Sequence, residues 1–216
     1  MKSKLKSKLK STSKIKIGVL GIFLSLFAFS TFANDQNDIY DHIDIRLGMP
    51  AYGGNGCPAG SASALLSPDR HSFKIMFDQY VSYAGGESQV KIDRKSCNIS
   101  IPVIVPEGYS IAIANIDEIK GFTEIPLGGE GRFNLEYFFA GARGPVYSKR
   151  WIGPRSDSYV IMNTISNNAL TWSPCGQSVN LRINSSILSK TNSNLEATNV
   201  TVDDGFSGNI IWKVCR

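Results

Sequence analysis

Histidine is scarce in this chain, and so are the motifs that many enzymes use. The 216 residues contain two histidines, His42 and His71, and His71 lies between a turn and a predicted strand, a position typical of a surface residue. No Gly-x-Ser-x-Gly sequence occurs, so the nucleophile elbow of hydrolases is absent. The glycines Gly53, Gly54 and Gly56 precede Cys-Pro instead of a lysine and a helix, which argues against a phosphate-binding loop. We therefore predict no catalytic residue and no bound cofactor.

The sequence also lacks a hydrophobic run that is long enough to span a membrane. The apolar run at 17–29 has 13 residues, whereas a transmembrane helix needs about 20. Seven lysines precede this run and Thr31-Phe32-Ala33 follows it, which is the order of segments in a secretory signal peptide. We predict a signal peptide at 1–33, a single mature domain at 34–216 without a membrane anchor, and a secreted protein, extracellular or periplasmic.

Positive charge becomes scarce once the predicted signal peptide is removed. The full chain has 23 basic and 18 acidic residues, a formal net charge of +5. Cleavage removes seven lysines and no acid, which leaves 16 basic and 18 acidic residues and a net charge of −2. Nucleic-acid-binding domains usually carry a basic patch of their own, so we expect no nucleic-acid partner.

Four cysteines occur, and all of them follow the predicted cleavage site. An exported chain enters an oxidising compartment in which disulfides persist. Four cysteines allow three connectivities, which the sequence alone does not separate. We favour Cys57 with Cys97 and Cys175 with Cys215, because each pair brackets a hairpin-sized span in its own half of the chain.

A zinc site is the alternative use of these cysteines. It is disfavoured because the chain has no Cys-x-x-Cys pair and no nearby pair of histidines, and we predict no metal. A tight turn at 53–61 instead presents Cys57 to a partner. In this turn Asn55-Gly56 is a strong turn pair, and Pro58 fixes its own φ.

Alternation of apolar and polar residues predicts an all-β fold. Phe73, Ile75 and Phe77 alternate with polar residues, as half-buried strands do, and similar segments recur along the chain with turns between them. We predict a single-domain β-sandwich of about ten short antiparallel strands, stapled by two disulfides. Pro102 within a predicted strand indicates an edge strand or a bulge. The polar tract 184–201 is expected to form a long loop or a polar hairpin.

One basic and aromatic segment is the candidate ligand-binding site. Cations beside flat aromatic rings suit sugar rings, acidic glycans or an anionic surface. The alternative is that Trp151 fills the core and that the charged side chains are the solvent-exposed part of a loop between two Gly-Pro pairs. We expect Trp172 and Trp212 to pack against the second disulfide. The candidate residues are Arg143, Tyr147, Lys149, Arg150, Trp151 and Arg155.

Three function classes remain open from the residues alone. The favoured one is a non-catalytic binding or surface protein with a glycan or cell-envelope ligand. The second is a polysaccharide or peptidoglycan hydrolase with two carboxylates, for which Asp117-Glu118, Asp203-Asp204 and Glu136 are the nominal candidates. The third is a secreted effector or inhibitor with a protein partner, which would show an exposed apolar patch. The sequence does not define the oligomeric state.

Three segments have the Asn-x-Ser/Thr pattern of an N-glycosylation acceptor. They begin at Asn98, Asn184 and Asn199. These sequons are relevant only in a host that glycosylates proteins, and the chain does not identify its host.

Further motifs follow the turn at Cys57 in a fixed order. Together they resemble the domain-of-unknown-function 4360 (DUF4360) family of small secreted proteins from fungi and bacteria. The resemblance spans about 43–215 and departs at Lys120, where arginine is expected, and in the tract after Ile183. It implies export, a β-rich single domain and two disulfides, and no activity. The motifs are Gly54-Asn55-Gly56-Cys57-Pro58, Gly60-Ser61, Leu66-Ser67-Pro68-Asp69, Phe77-Asp78, Cys97, Pro106-Glu107-Gly108-Tyr109, Lys120-Gly121-Phe122, Gly153-Pro154 and Trp172-Ser173-Pro174-Cys175-Gly176.

Overall fold

The computed structural model describes residues 43–164, 169–193 and 196–215. The predicted signal peptide, its cleavage site after Ala33, and His42 lie outside the described residues. Within the described ranges, no helix has the length and apolarity that are needed to cross a membrane.

The described residues form thirteen strands in two antiparallel sheets, which confirms the all-β prediction. A short 3₁₀ turn lies at Gly86–Ser88. The first sheet contains β1 (Arg46–Leu47), β2 (Ala51–Gly53), β6 (Ile92–Ile104), β8 (Glu130–Phe139), β9 (Val146–Ile152) and β11 (Val179–Lys190). The second sheet contains β3 (Ala62–Leu66), β4 (Ser72–Phe77), β5 (Val81–Ala84), β7 (Tyr109–Ile125), β10 (Arg155–Thr164), β12 (Thr198–Thr201) and β13 (Phe206–Val214).

Two long strands organise the two sheets. In the first sheet, β6 is bordered by the short β1 and β2 on one side and by β11 on the other, and β8 and β9 continue from β11. In the second sheet the order is β3, β4, β13, β7, β12 and β5, and β10 pairs along the other side of β7. At 13 and 17 residues, β6 and β7 are longer than the short strands that the sequence predicts.

The core lies between the sheets and follows from the alternation of each strand. Ile99, Ile101 and Val103 of β6 and Phe133 and Leu135 of β8 are buried, whereas their neighbours along each strand point outward. Successive side chains of a strand point to opposite faces of the sheet. Burial of each such apolar side chain contributes roughly 1.5–3 kcal/mol before entropy costs, so this alternation fixes which face is inside.

Both predicted disulfides are present. Cys57 pairs with Cys97 and Cys175 pairs with Cys215, and each pair is separated by 40 residues along the chain. The described residues contain no free cysteine.

The sequence predicts an edge strand or a bulge at Pro102, and this prediction is wrong. β6 pairs with β1 and β2 on one side and with β11 on the other, and its register with β11 runs through Pro102 without a shift. Pro102 lies instead at the gap between β1 and β2. Its carbonyl accepts a hydrogen bond from the backbone N–H of Gly48 at 2.7 Å, on the side where the pairing of β6 passes from β1 to β2. A proline has no N–H to donate. Because Pro102 lies between the short strands β1 and β2, its missing N–H interrupts no hydrogen bond of the sheet.

Two segments form strands where the sequence predicts a loop or, for the tract 184–201, a loop or a polar hairpin. The candidate binding segment forms β9, because it pairs along β8 over seven residues. The first part of the polar tract 184–201 continues β11, which ends at Lys190. The tract is polar on both faces because Ser185 and Ser189 point inward. Their hydroxyls share hydrogen bonds with those of Tyr80 and Ser82 at 3.1 and 2.7 Å.

Candidate ligand-binding site

The outer face of the first sheet carries two rows of side chains across four strands, and all of them are polar except Val146 at the end of one row. Strand register determines the rows, because residues directly opposite each other share a face. Asn98 of β6 lies opposite Asn184 of β11, which lies opposite Glu136 of β8, and Glu136 lies opposite Val146 of β9. The adjacent row contains Ser96, Ser186, Asn134 and Ser148.

These two rows form a shallow groove of about 210 Å³. The small side chains of Ser96 and Ser186 leave space in its middle. Neighbouring strands are about 4.8 Å apart, so four strands give the groove a length of about 15 Å. The residues that line it are Arg94, Ser96, Asn98, Asn134, Leu135, Glu136, Val146, Asn184, Ser185 and Ser186.

The row of serines and asparagine is held in place by hydrogen bonds within the protein. The hydroxyl of Ser148 donates to Oδ1 of Asn134 at 2.7 Å, and Nδ2 of Asn134 donates to the hydroxyl of Ser186 at 3.3 Å. At the β6 end, Asn55 of the cysteine turn donates to the carbonyl of Arg94 at 3.0 Å and accepts from the N–H of Ser96 at 2.8 Å. The turn that presents Cys57 therefore also positions the groove.

The neighbouring amides are available for a ligand. In the described part of the chain, the side chains of Asn98 and Asn184 make no hydrogen bond to protein, and neither does the carboxylate of Glu136. Asn98 is exposed and Asn184 and Glu136 are half-buried. Each amide offers two donors and two acceptor lone pairs, so this row presents unpaired hydrogen-bonding groups in a fixed register.

A buried carboxylate holds two arginines on the same face. The side chain of Glu130 is 8% exposed, and it accepts a hydrogen bond from Nη2 of Arg150 at 2.7 Å and another from Nε of Arg132. These two guanidinium groups lower the pKa of Glu130 to about 2, with the bond from Arg150 as the largest cause. Glu130 is therefore anionic at neutral pH, and both arginines are anchored while about half of each side chain stays exposed.

The structure separates the six predicted binding residues instead of gathering them. Trp151 is 5% exposed and its ring lies 4.6 Å from that of Tyr159 between the sheets, so it fills the core as the alternative interpretation held. Tyr147 faces the same side, and burial raises its pKa. Nε of Arg155 forms an ion pair with Oδ1 of Asp157 at 2.5 Å and donates a hydrogen bond to the hydroxyl of Thr123 at 2.8 Å.

The other three residues of that set are nearer the surface. Arg150 lies on the outer face with Glu130, as described above. Lys149 is exposed on β9, and Arg143 is exposed in the connection between β8 and β9, where its carbonyl accepts a hydrogen bond from Thr171 at 3.0 Å. The binding role of the set stays a prediction, and Arg150 is the member that the groove face includes.

The nominal catalytic carboxylates do not meet in the groove. Glu136 is the one carboxylate among the residues that line it. Asp117 accepts hydrogen bonds from Asn115 and Asn209 at 2.7 and 2.8 Å in the second sheet, and Glu118 pairs with Lys120 at 2.9 Å.

Two further acids also lie away from the groove. Asp203 and Asp204 lie in the turn between β12 and β13 of the second sheet. Glu130 is on the same strand as Glu136 but six residues away, which is about 20 Å along a strand. A glycosidase needs its two carboxyl groups about 5–10 Å apart, so Glu130 and Glu136 do not form such a pair.

One histidine, His71, lies among the described residues. His71 is exposed, and its ring lies 4.3 Å from that of Trp212. Nζ of Lys213 lies 4.1 Å above the ring of Trp172. The described ranges contain no group of three or more His, Cys, Asp or Glu side chains that could hold a metal ion.

Comparison with known sequences identifies the family. Residues 44–215 match the family described as a domain of unknown function (DUF4360). The chain belongs to the DUF4360 family. A relative from Arthroderma benhamiae, described as an uncharacterized secreted protein, is 33% identical over 170 residues, which cover 76% of this chain and 69% of that protein. The resemblance seen in the sequence motifs is thereby confirmed.

Two solved carbohydrate-binding modules resemble this DUF4360 protein weakly. TmCBM61 in complex with β-1,4-galactotriose has a TM-score of 0.20 and 12% identity, over 77% of this chain and 88% of that one. A family 11 carbohydrate-binding module from Clostridium thermocellum, in complex with a β-1,3-1,4-mixed-linked tetrasaccharide, has a TM-score of 0.21 and 10% identity, over 81% and 92%. Overlaps this low carry no argument about the function of the chain.

Proposed function

We propose that this DUF4360 protein is an exported, non-catalytic binding protein that holds a glycan in the groove on the first sheet. The observation that carries the proposal is the pair of rows across four strands, polar at seven of their eight positions, with the amides of Asn98 and Asn184 unpaired. Sugars present many hydroxyl groups that both donate and accept hydrogen bonds, and amides complement them with donors and acceptors of their own. The rigid register of a sheet keeps these groups in place before a ligand arrives.

Export is supported by the residues and by the relative. The order of charged, apolar and small residues at 1–33 favours a signal peptide, and two disulfides suit an oxidising compartment. The relative from Arthroderma benhamiae is described as secreted. A ligand outside the cell, such as envelope polysaccharide, is consistent with this location.

Co-sedimentation tests the proposal. Residues 34–216 are produced in a bacterial periplasm, where disulfides form and the sequons at Asn98 and Asn184 are not glycosylated. The protein is mixed with insoluble polysaccharides and cell walls, beside the double variant Asn98→Ala with Asn184→Ala. We expect the double variant to bind at least about tenfold more weakly, because each lost hydrogen bond contributes about 1 kcal/mol.

Gln177→Ala is the matched control, because it removes an exposed amide that does not line the groove. Its binding should equal that of the wild type. If the wild type pellets with no polysaccharide, or if the double variant pellets as well as the control, the glycan proposal fails.

The hydrolase alternative has its own measurement. Release of reducing ends from soluble polysaccharide would reveal hydrolysis, and Glu136→Gln would abolish it if Glu136 were a catalytic acid. Binding without release of reducing ends supports a non-catalytic role.

A further inference from the structure

A row of arginines lies directly beside the groove. Two residues further along the strands from the row of serines and asparagine, the outer face carries Arg94, Leu188, Arg132 and Arg150 in consecutive strands. Two residues along a strand cover about 6.6 Å, which is within the reach of an arginine side chain. Arg94 itself lines the groove. Any ligand in the groove therefore lies next to guanidinium groups.

These guanidinium groups carry charge that the protein does not neutralise. Arg132 and Arg150 share the single carboxylate of Glu130, so one positive charge is left over. Among the described residues Arg94 has no acidic partner, and its guanidinium contacts the hydroxyl of Ser186 at 3.4 Å. The row thus has a net charge of about +2, and Glu130 fixes two of its members in position.

The charge on the outer face of β6, β11, β8 and β9 contrasts with that of the mature protein. The predicted mature chain has a net charge of −2, yet the outward basic side chains of these four strands exceed the outward acidic ones by three. A cationic face on an acidic protein concentrates anionic ligands near it. The outward residues on β6, β11, β8 and β9 that carry charge are Arg94, Arg132, Arg150, Arg182, Lys190, Glu130 and Glu136.

We propose that the groove selects an anionic polysaccharide, whose carboxylate or sulfate groups bind the arginine row while its hydroxyls bind Asn98 and Asn184. This inference rests on the proposed glycan-binding function and narrows it to one class of ligand. The planar guanidinium group of arginine matches an oxyanion with two parallel hydrogen bonds. The row and the amides lie on opposite sides of the Ser96–Ser186 pair, so one chain of sugars across the groove contacts both.

Pairs of polymers with the same backbone test the inference. Affinity for polygalacturonate is compared with that for its methyl ester, and affinity for dextran sulfate with that for dextran. At low salt, we expect each charged polymer to bind at least about tenfold more tightly than its neutral partner. This difference in affinity should shrink as salt is added. The two pairs distinguish carboxylate from sulfate as the recognised group.

Arg94→Gln is the test variant, because Arg94 has no carboxylate to leave unpaired. It should lose about tenfold in affinity for the charged polymer and little for the neutral one. Arg94→Lys, which keeps the charge but loses the planar group, should fall between the two. Lys74→Gln is the control, because Lys74 is an exposed cation on a strand of the second sheet, and it should bind like the wild type.

The outcomes separate this inference from the proposed function. If charged and neutral polymers bind equally and Arg94→Gln changes nothing, while Asn98→Ala with Asn184→Ala abolishes binding, the anionic selectivity is wrong and the glycan site stands. If no polymer binds, both proposals fail. If charged polymers bind but Lys74→Gln weakens binding as much as Arg94→Gln does, general charge accounts for the effect and the arginine row does not.

Discussion

The two disulfides of this protein close spans of the same length in different surroundings. Both link cysteines 40 residues apart. Cys57 and Cys97 are completely buried in the core, whereas Cys175 is exposed and Cys215 is half-buried beyond the end of β13. Because the two spans are equal, the two disulfides have the same effect on loop-closure entropy. Any difference between their contributions to stability therefore comes from packing and position.

Only the first disulfide lies behind the groove. Cys97 points into the core from the middle of β6, and its neighbours Ser96 and Asn98 point outward into the groove. Asn55, two residues before Cys57, bonds the backbone of the same strand. The second disulfide joins the region after Trp172 to the end of β13, where the N–H of Cys215 donates to the carbonyl of Gly108 at 2.7 Å. The first disulfide supports the binding site, and the second supports an end of the other sheet.

Removal of the first disulfide should have the largest effect. Replacement of both Cys57 and Cys97 by alanine loses about 4 kcal/mol of loop-closure stabilisation, and about 1–2 kcal/mol more for the space left in a packed core. We expect guanidinium-induced unfolding to show a loss of about 5–6 kcal/mol, together with loss of polysaccharide binding. Groove binding that survives in a folded double variant would contradict the link between this disulfide and the site.

Removal of the second disulfide should cost less and should spare the groove. Replacement of both Cys175 and Cys215 by alanine should lower the free energy of unfolding by about 4 kcal/mol or less, because little buried volume is lost. Binding at saturating polysaccharide should match that of the wild type. Alkylation and mass spectrometry after mild reduction should also find Cys175 and Cys215 labelled first, because exposed disulfides are more easily reduced. Earlier labelling of Cys57 or Cys97 would contradict the expectation that the exposed disulfide is reduced first.

A glycine beside each disulfide extends the comparison to the backbone. Gly54 has φ +116°, and a Cβ there would overlap the carbonyl oxygen of Ser96. Gly176 has φ +58°, and its added Cβ would lie 3.0 Å from Cα of Glu107. We expect Gly54→Ala to cost about 3 kcal/mol and Gly176→Ala about 1 kcal/mol, measured by chemical unfolding. Equal costs would show that the first turn is no more constrained than the second.

Low pH should loosen the groove face through Glu130. Its pKa is about 2 in the folded protein against an ordinary value of 4.5, so its contribution is complete above pH 4.5 and is lost as the pH falls through 2. Glu130→Gln should cost about 3 kcal/mol at pH 7 and almost nothing at pH 2. Glu124→Gln on an exposed position of β7 should show no such pH-dependent difference. A Glu130 effect that is the same at both pH values would mean that packing, and not charge, explains it.

The sequence predicts the parts of this fold that local patterns encode. Spacing favours the cysteine pairing and alternation predicts the β-sandwich, and both are confirmed. The sequence does not reveal β9, because the adjacent charges of Lys149 and Arg150 obscure its alternation. The groove was missed because it depends on strand register, which brings Asn98 opposite Asn184 across 86 residues of chain. In the sequence, those two asparagines stand out only as sequons.

The smallest effect concerns a single hydrogen bond beside each disulfide. The hydroxyl of Tyr80 contacts that of Ser185 at 3.1 Å in the core, and Ser185 also reaches the carbonyl of Cys97 at 3.4 Å. At the second disulfide, the hydroxyl of Ser110 lies 3.4 Å from Sγ of Cys215. Tyr80→Phe should cost about 1 kcal/mol, because it leaves a buried hydroxyl with one weak partner.

Ser110→Ala should cost less than about 0.5 kcal/mol, because a sulfur atom is a weak hydrogen-bond acceptor. Urea unfolding of the two variants beside the wild type measures both values. Since Ser185 lies in β11 between groove residues Asn184 and Ser186, Tyr80→Phe should also weaken polysaccharide binding slightly, whereas Ser110→Ala should not. The reverse order of the two costs would mean that burial of the first disulfide does not determine how tightly its neighbours are held.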